Sequence, residues 1–588
     1  MTAATTHDAS PLAPMLTRWG RDLGDVPWPE YPRPQMARAE WLNLNGPWQY
    51  AIVSKPAPQP QRWDGEIRVP FPVESALSLV RRPVSPDERL WYRRAFTVPS
   101  AWRGRRVLLN FGAVDFEAAV FVNAAFVGAH RGGFDPFCFD VTDYLGDDTN
   151  ELVVGVWDPT NRGEQPRGKQ HLRPQQIWYT AVTGIWQTVW LEPVPLENHI
   201  DELRITPRVE LACIDVDVMA ARPTRRTSLV ARVTVSADGR VVASATTALD
   251  RRTRISIAHP RRWSPDTPFL YDVAVELLSD GVAIDRVFGY FGMRTIALGT
   301  DARGRPAMLL NGDATFQLGT LDQGWWPDGL LTPPSDAAIV YELEFLKAAG
   351  FNALRKHIKV EPARYYYHCD RLGVLVWQDM PSGFVPAQYV APDDSTEGLK
   401  KSTVAEQFEL ELRRMVDRLS AHPSIVMWVI HNEGWGQYDT TRLAAWLKAI
   451  DPTRLVDAAS GWRDVGAGDV NDVHDYAEAP AATPLDRRRA LVLGECGGIG
   501  WPIAGHLWDP RARNWGYQTY HARADVEAAY RAKTAAVLAL RDAGLSGAIY
   551  TQTTDVEGEV NGLLTYDREV EKLSRAWLAA VHAPLTRR

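Results

Sequence analysis

Ser424 to Ile430 is a largely apolar run that stops abruptly at His431-Asn432-Glu433-Gly434. A strand buried on both faces of a parallel sheet has this composition. A carboxylate just past its end lies at the mouth of the sheet, where α/β enzymes hold their reacting groups. A second carboxylate, Glu495, follows the comparable run Ala490 to Gly494 and precedes Cys496-Gly497-Gly498. The two glutamates are 62 residues apart (433 to 495), but strand ends of a closed barrel converge on one face, so they are free to meet. Two carboxyl groups about 5–5.5 Å apart cleave a glycosidic bond, one as nucleophile and one as acid/base. A solvated loop charge explains either glutamate alone. It explains the pair, each after an apolar strand and beside glycine, much less well.

The elements that must position this pair are legible in outline. From about Thr295 onward, strand patterns occur at Phe316–Leu321, Asn352–Ile358, Val374–Asp379, Ser424–His431, Leu455–Ala459, Val470–Tyr476, Ala490–Gly494 and Ser546–Thr551. Amphipathic helical patterns lie between many of them, at Asp336–Ala349, Pro362–Leu372, Val404–Ala421, Thr440–Ile450 and Asp525–Ala543, and the helix after the sixth strand is poorly marked. Eight strands over 295–588 predict a (β/α)8 barrel. Upstream, short alternating runs such as Arg106–Phe111, Glu117–Asn123, Glu151–Trp157 and Gln187–Glu192 predict a β-sandwich at 15–196. A second β block at 197–294 contains Ser228–Val235 and Tyr271–Leu277, with a turn-rich link at 260–268, and has the length of an immunoglobulin-like sandwich. The fold class is thus multidomain: two β-sandwiches followed by a TIM barrel.

Bulk properties narrow the function. At 588 residues the chain exceeds one core. A formal charge of -7 excludes a polybasic nucleic-acid or membrane surface as the main theme. The 23 Trp offer flat faces suited to sugar rings, although most must serve the core. Cys138, Cys213, Cys369 and Cys496 have neither metal nor disulfide spacing, which fits a reducing compartment. Met1 to Gly20 lacks the pattern of a secretory signal, and no run has the length of a membrane span, so a cytoplasmic location is expected. No phosphate-binding or dinucleotide glycine fingerprint opens a helix.

Other polar groups end the remaining strands. Arg355, with His357 two residues on, ends the second, where it would hold a catalytic carboxylate or a purely structural partner. His474 and Tyr476 end the sixth. Asp322, Asp379 and Trp462 end the first, third and fifth, each divided between sugar contact and scaffold. The loop after strand eight carries Asp555, Glu557 and Glu559, read as part of a sugar-binding rim or as solvated charge. Cys496 has no paired histidine in sequence and is expected to pack the barrel.

The chain resembles glycoside hydrolase family 2, the β-galactosidases, β-glucuronidases and β-mannosidases. The motifs Trp428-Val-Ile-His-Asn-Glu433-Gly and Leu493-Gly-Glu495 are similar to its acid/base and nucleophile motifs. Leu44-Asn-Gly-Pro-Trp48, Trp91-Tyr-Arg-Arg94, His130-Arg-Gly-Gly-Phe-Asp-Pro136 and Gly184-Ile-Trp-Gln-Thr-Val-Trp190 resemble its N-terminal jelly roll, and Asn352-Ala-Leu-Arg355 its second barrel strand. The resemblance implies Glu433 as acid/base, Glu495 as nucleophile, Asn432 as a contact to the sugar 2-hydroxyl, and Tyr476 near the nucleophile, a place His474 would otherwise take. It implies no required cofactor. Some relatives use magnesium or sodium, whose ligands cannot be assigned here. β-Glucuronidases of the family carry Asn-x-Lys after strand eight, whereas this chain has Asn561-Gly-Leu563, which disfavours a uronic acid.

The expected activity is a retaining exo-β-glycosidase, β-galactosidase-like, acting on carbohydrate alone and forming a homo-oligomer or not. Mannoside, arabinoside or glucuronide specificity is the alternative within enzymes. A non-catalytic carbohydrate-binding protein on the same scaffold is the alternative from another class, and it has no need of a carboxylate pair.

Overall fold

The computed structural model describes residues 13–221, 229–249, 251–383 and 402–586. Eight parallel strands form one sheet: Gln317–Asp322, Ala353–Lys356, Leu375–Asp379, Ile425–Val429, Leu455–Asp457, Val470–Asp475, Ala490–Gly497 and Leu545–Thr551. Their order in space is 5-4-3-2-1-8-7-6, a TIM barrel whose ladder is incomplete only between strands five and six. That seam is closed by Asp469 N–H donating to Val456 O (2.7 Å) and by Ser460 Oγ donating to Asp472.

Helices Asp336–Ala348, Ala363–Leu372, Ser402–Leu419, Thr440–Ile450 and Arg523–Ala543 follow strands one, two, three, four and seven, and Arg575–Thr586 follows strand eight. Each prediction lies within two residues of the observed span, because apolar stripes at helical spacing are what these helices bury. No helix separates strands six and seven, nor five and six. The weak signal there reflected a real absence.

The barrel floor explains why the chain enters as it does. A hairpin of Ile296–Thr300 and Pro306–Leu310 precedes strand one. Ile296, Met308 and Leu310 pack with interior residues Leu321, Leu375, Trp377 and Met427. Trp263, in the turn-rich link at 260–268, is fully buried in the same cluster and donates its indole N–H to Asp370 O (2.7 Å).

The second domain is a sandwich of a three-stranded and a four-stranded antiparallel sheet spanning 199–291, packed around Val216, Val233, Val275 and Val287. One of its expected strands starts at Ser228, which lies outside the described residues; the strand runs Leu229–Ala237. The N-terminal domain packs a four-stranded sheet and a six-stranded sheet face to face around Trp48, Tyr92, Leu109 and Val154. Alternating burial along Glu117–Val122 is the period-two pattern that the sequence displayed.

Trp263 joins two domains across one buried ring. Trp263→Ala should therefore cost about 3–5 kcal/mol, visible in a urea titration as an earlier transition for the barrel. An unchanged midpoint would remove this residue as an anchor.

Candidate active site

The C-terminal strand ends collect the polar groups, and two backbone irregularities aim the central ones. Strand seven holds one extra residue against both neighbours, so that Val473 pairs with Leu493 but His474 with Glu495. The bulged residue is Gly494, where any Cβ would come within 2.0 Å of Asp472 Oδ2. A bulge re-aims the next side chain, and here that side chain is Glu495. Glu495 therefore lies inside strand seven, which runs to Gly497 rather than stopping at Gly494 as the sequence suggested.

Glu433 sits beyond strand four in a short extension bridged to strand five. Ser460 N–H donates to His431 O (2.9 Å), and Glu433 N–H to Ser460 O (2.8 Å). Its backbone is left-handed, at φ 50°. That conformation is uncommon for a residue with a side chain and is held by surrounding structure.

Arg355 is the hub. Its side chain is fully buried and grips Asp379 with Nε and Nη2, both at 2.9 Å. Nη2 also donates to Asn432 Oδ1 (2.7 Å), and Nη1 lies 3.4 Å from Glu495 Oε1. Asn432 thus spends its carbonyl on Arg355, while its buried Nδ2 has no partner among the described residues and can donate to a ligand hydroxyl.

His474 lies between the carboxylates. Its Nδ1 is 3.0 Å from Glu433 Oε1 and 3.6 Å from Glu495 Oε2. Carboxylate oxygens of both glutamates and a ring nitrogen of His474 all lie within 4.8 Å of one another. Ser460 gives its one proton to Asp472, so His474 Nε2, 2.7 Å away, must donate to Ser460. That leaves one shared proton on the line between Nδ1 and Glu433. Tyr476 donates to Glu495 Oε2 (2.5 Å) and stacks on Tyr517.

The charges divide the pair. Burial, followed by the charge of Glu495, raises the Glu433 pKa. Burial would raise Glu495 too, but the groups facing it, His474 foremost, with Arg355 and Lys169 further down the order, overcome this and hold it below the usual carboxylate range. His357 is kept neutral by burial, well below its usual range. One carboxyl group is thus biased to keep a proton and the other to stay ionised.

Several residues expected at the sugar are absorbed by scaffold. Asp379 accepts from His357 Nδ1 (3.0 Å) and Ile358 N–H (3.2 Å) besides Arg355. Asp322 accepts from Lys356 (2.7 Å), Tyr365 (2.6 Å) and Gly324 N–H (2.9 Å). The acidic loop after strand eight is not solvated. Asp555, Glu557 and Glu559 are all buried. Asp555 pairs with Lys572 (2.6 Å), Glu557 accepts from Thr180 N–H (2.9 Å) and Glu559 from the Tyr179 hydroxyl. Two of them therefore bind the N-terminal domain. Trp462 is 61% exposed, edge-on to Trp435, which in turn packs on Trp178 of the N-terminal domain.

Sequence reasoning missed Ser460, Asp472, Tyr517 and Lys169. Lys169 belongs to a loop of another domain, and no spacing rule connects it to barrel strand ends. A separate cavity of about 800 Å³ lies at the domain junction, lined by Arg33, Glu202, Arg364 and Arg454, and includes neither glutamate. Glu433, His474 and Glu495 are the one group of potential metal ligands among the described residues. Arg355 Nη1 stands 3.3 Å from His474 and 3.4 Å from Glu495. A cation already in place makes this a poor metal site.

Comparison with known proteins agrees with this arrangement. Sequence models described as glycosyl hydrolases family 2, sugar binding domain, glycosyl hydrolases family 2, and glycosyl hydrolases family 2, TIM barrel domain, match residues 42–195, 198–294 and 335–478 in that order. The chain belongs to glycoside hydrolase family 2. The barrel match ends before Glu495, whose place in this family 2 site rests on geometry. A β-galactosidase of Thermoanaerobacter pseudethanolicus is 27% identical over 367 residues, 59% of this chain and 45% of that protein. One of Alteromonas mediterranea is 25% identical over 460 residues, 74% and 40%. The chain thus spans less than half the length of these curated relatives. Among solved structures, a Bifidobacterium dentium β-glucuronidase complexed with coumarin-3-O-glucuronide superposes with TM-score 0.73 at 22% identity, covering 93% of this chain and 98% of that one. A Dictyoglomus thermophilum β-D-glucuronidase gives 0.72 at 18%, covering 94% and 98%. These likenesses establish the fold.

Arg355 contacts Asp379, Asn432, Glu495 and His474, so its loss has a structural signature. Arg355→Met strands a buried Asp379 and should destabilise the protein by about 3–5 kcal/mol. Pairing it with Asp379→Leu should recover part of that loss in chemical denaturation. Additive costs of the two changes would contradict the coupling.

Proposed function

We propose that this protein is a retaining exo-β-glycosidase that removes terminal sugars by double displacement. The observation that carries the reading is the approach of Glu433 and Glu495 to within 4.8 Å, with their proton affinities driven apart. Inverting enzymes keep the two groups roughly 6.5–9.5 Å apart to admit a water. In the first step Glu433 gives its proton to the glycosidic oxygen while a Glu495 oxygen bonds to the anomeric carbon, and the aglycone alcohol leaves. In the second, Glu433 takes a proton from water, the hydroxide oxygen bonds to the anomeric carbon, and Glu495 departs as a carboxylate.

The surrounding groups suit these steps. Esterification of Glu495 removes the charge that helped Glu433 keep its proton, which turns the acid into a base. The unpartnered Nδ2 of Asn432 is available to a sugar hydroxyl, and Tyr476 steadies the nucleophile. The N-terminal domain reaches the barrel mouth through Lys169, Tyr179 and Thr180, a narrowing that favours attack on chain ends. The names of the curated relatives support a β-galactoside as the sugar to test first, with mannosides, arabinosides and glucuronides beside it.

Glu495→Ala should lower kcat on aryl β-glycosides by about three orders of magnitude or more. Glu433→Ala should spare activated leaving groups and penalise poor ones by about 10²–10⁴. Proton NMR of the first product must show the β-anomer; an α-anomer would eliminate double displacement. His474→Asn removes from both carboxyl groups a neighbour that lowers their pKa values, so both rise. The acid and alkaline limbs of kcat/KM should each move to higher pH, by about one unit. Unmoved limbs would deny His474 that electrostatic part.

A further inference from the structure

We propose that Lys169, delivered by the N-terminal sandwich, binds an anionic substituent, carboxylate or sulfate, on the sugar held between Glu433 and Glu495. The proposal rests on the glycosidase reading and names the substrate class it would serve.

The loop bearing Lys169 is built to a fixed position. Arg167 and Gly168 donate their backbone N–H groups to Ser382 O, at 3.1 and 3.2 Å. Gly168 has φ 63° and lies so close to the second barrel strand that a Cβ would stand 2.7 Å from Ile358 O. On the other side, Tyr179 N–H donates to Lys169 O (3.0 Å), and Gln170 bonds Asp115 (2.7 Å) and Val182 N–H (2.7 Å). The backbone around Lys169 is thereby clamped to both domains.

The side chain is 5% exposed, with its ammonium 5.5 Å from the centre of the Tyr179 ring. Among the described residues it makes no hydrogen bond and no ion pair. The other buried lysines are matched: Lys356 to Asp322 (2.7 Å), Lys359 to Glu361 (2.8 Å), Lys572 to Asp555 (2.6 Å), and Lys533 to two backbone carbonyls. Of the two carboxylates that the charge of Lys169 acts on, Glu433 is engaged by His474 and Glu495 by Arg355 and Tyr476.

The loop of Lys169 lies against Ile358, next to His357, whose Nδ1 is 3.9 Å from Glu495 Oε1, and the lysine charge acts on Glu433, Glu495 and His357. Glu433 and Glu495 lie within its field but neither bonds it, so a ligand anion that does bond it recovers part of the cost of its burial. On the loop after strand eight, Lys572 is spent on Asp555 and Arg568 on Glu342. The pocket has a cation regardless, supplied by another domain.

The test compares wild type, Lys169→Met and Lys169→Arg on 4-nitrophenyl β-D-galactopyranoside, its 6-sulfate, and 4-nitrophenyl β-D-glucuronide. Calorimetry with D-galactose, D-galactose 6-sulfate and D-glucuronic acid runs on the same proteins. Wild type should prefer one anionic substrate over the neutral one by about tenfold or more in kcat/KM. Lys169→Met should cost that substrate about 30-fold more than the neutral one, mainly through KM, with Lys169→Arg restoring part. Which anionic substrate responds tells carboxylate from sulfate. Equal losses on all three, or a neutral preference in wild type, would overturn the proposal and leave Lys169 as electrostatic support for Glu495. If nothing is hydrolysed, the glycosidase reading fails and calorimetry decides alone. Anionic-sugar binding that Lys169→Met abolishes upholds Lys169, and no binding of either anionic sugar refutes it.

Discussion

A single buried guanidinium holds this site together. Arg355 fixes Asp379 with two hydrogen bonds, takes the carbonyl of Asn432 with a third and stands beside Glu495. Each contact satisfies a group that would be expensive to bury alone. Without the arginine, the buried carboxylate of strand three would keep His357 and Ile358 N–H but lose its cation, Asn432 would lose the bond that orients its amide, and Glu495 would lose part of the field that keeps it ionised. Scaffold and chemistry therefore share the same side chain, and the evenly weighted alternatives for Arg355 in sequence turn out not to be alternatives.

The mouth of the barrel is a joint product of two domains. Carboxylates that the barrel sends up after strand eight meet donors from the N-terminal sandwich, Glu557 at Thr180 and Glu559 at Tyr179. Trp178 and Trp435 meet on the Glu433 side, and Gly168 lies against Ile358 on the strand-two side. Burial raises Glu557 to about 7, which marks how far solvent has been removed from this contact. The sandwich is in this sense a wall of the pocket.

Much of this was visible in sequence because the barrel writes itself in short-range signals. Apolar runs of strand length ending in Asn432-Glu433 and near Glu495, and helical stripes such as Thr440–Ile450, depend only on neighbours a few residues away. Tyr476, which bonds Glu495, stood in sequence as an implication of the family resemblance, with His474 as its alternative. What sequence left open was anything decided by tertiary pairing. Asp322 stayed divided between sugar contact and scaffold, and the strand-eight carboxylates between a rim and solvated charge, because nothing there reveals Lys356, Lys572 or Thr180 as their partners. The bulge at Gly494 was hidden for the same reason, since an extra residue is defined only against the strands on either side. Lys169 lies a whole domain away from the residues it influences.

The incomplete ladder between strands five and six has a consequence for how the protein would fail. Ser460, which bridges that seam to Asp472, is also the residue that fixes the tautomer of His474. Any parting of the two strands breaks both bonds together, since one hydroxyl makes them. The proton shared with Glu433 then loses its reference point while the remaining strand pairs stay zipped. Local breathing at this one joint would thus silence the chemistry well before the barrel melts, so heat inactivation and loss of secondary structure are set by different parts of the molecule.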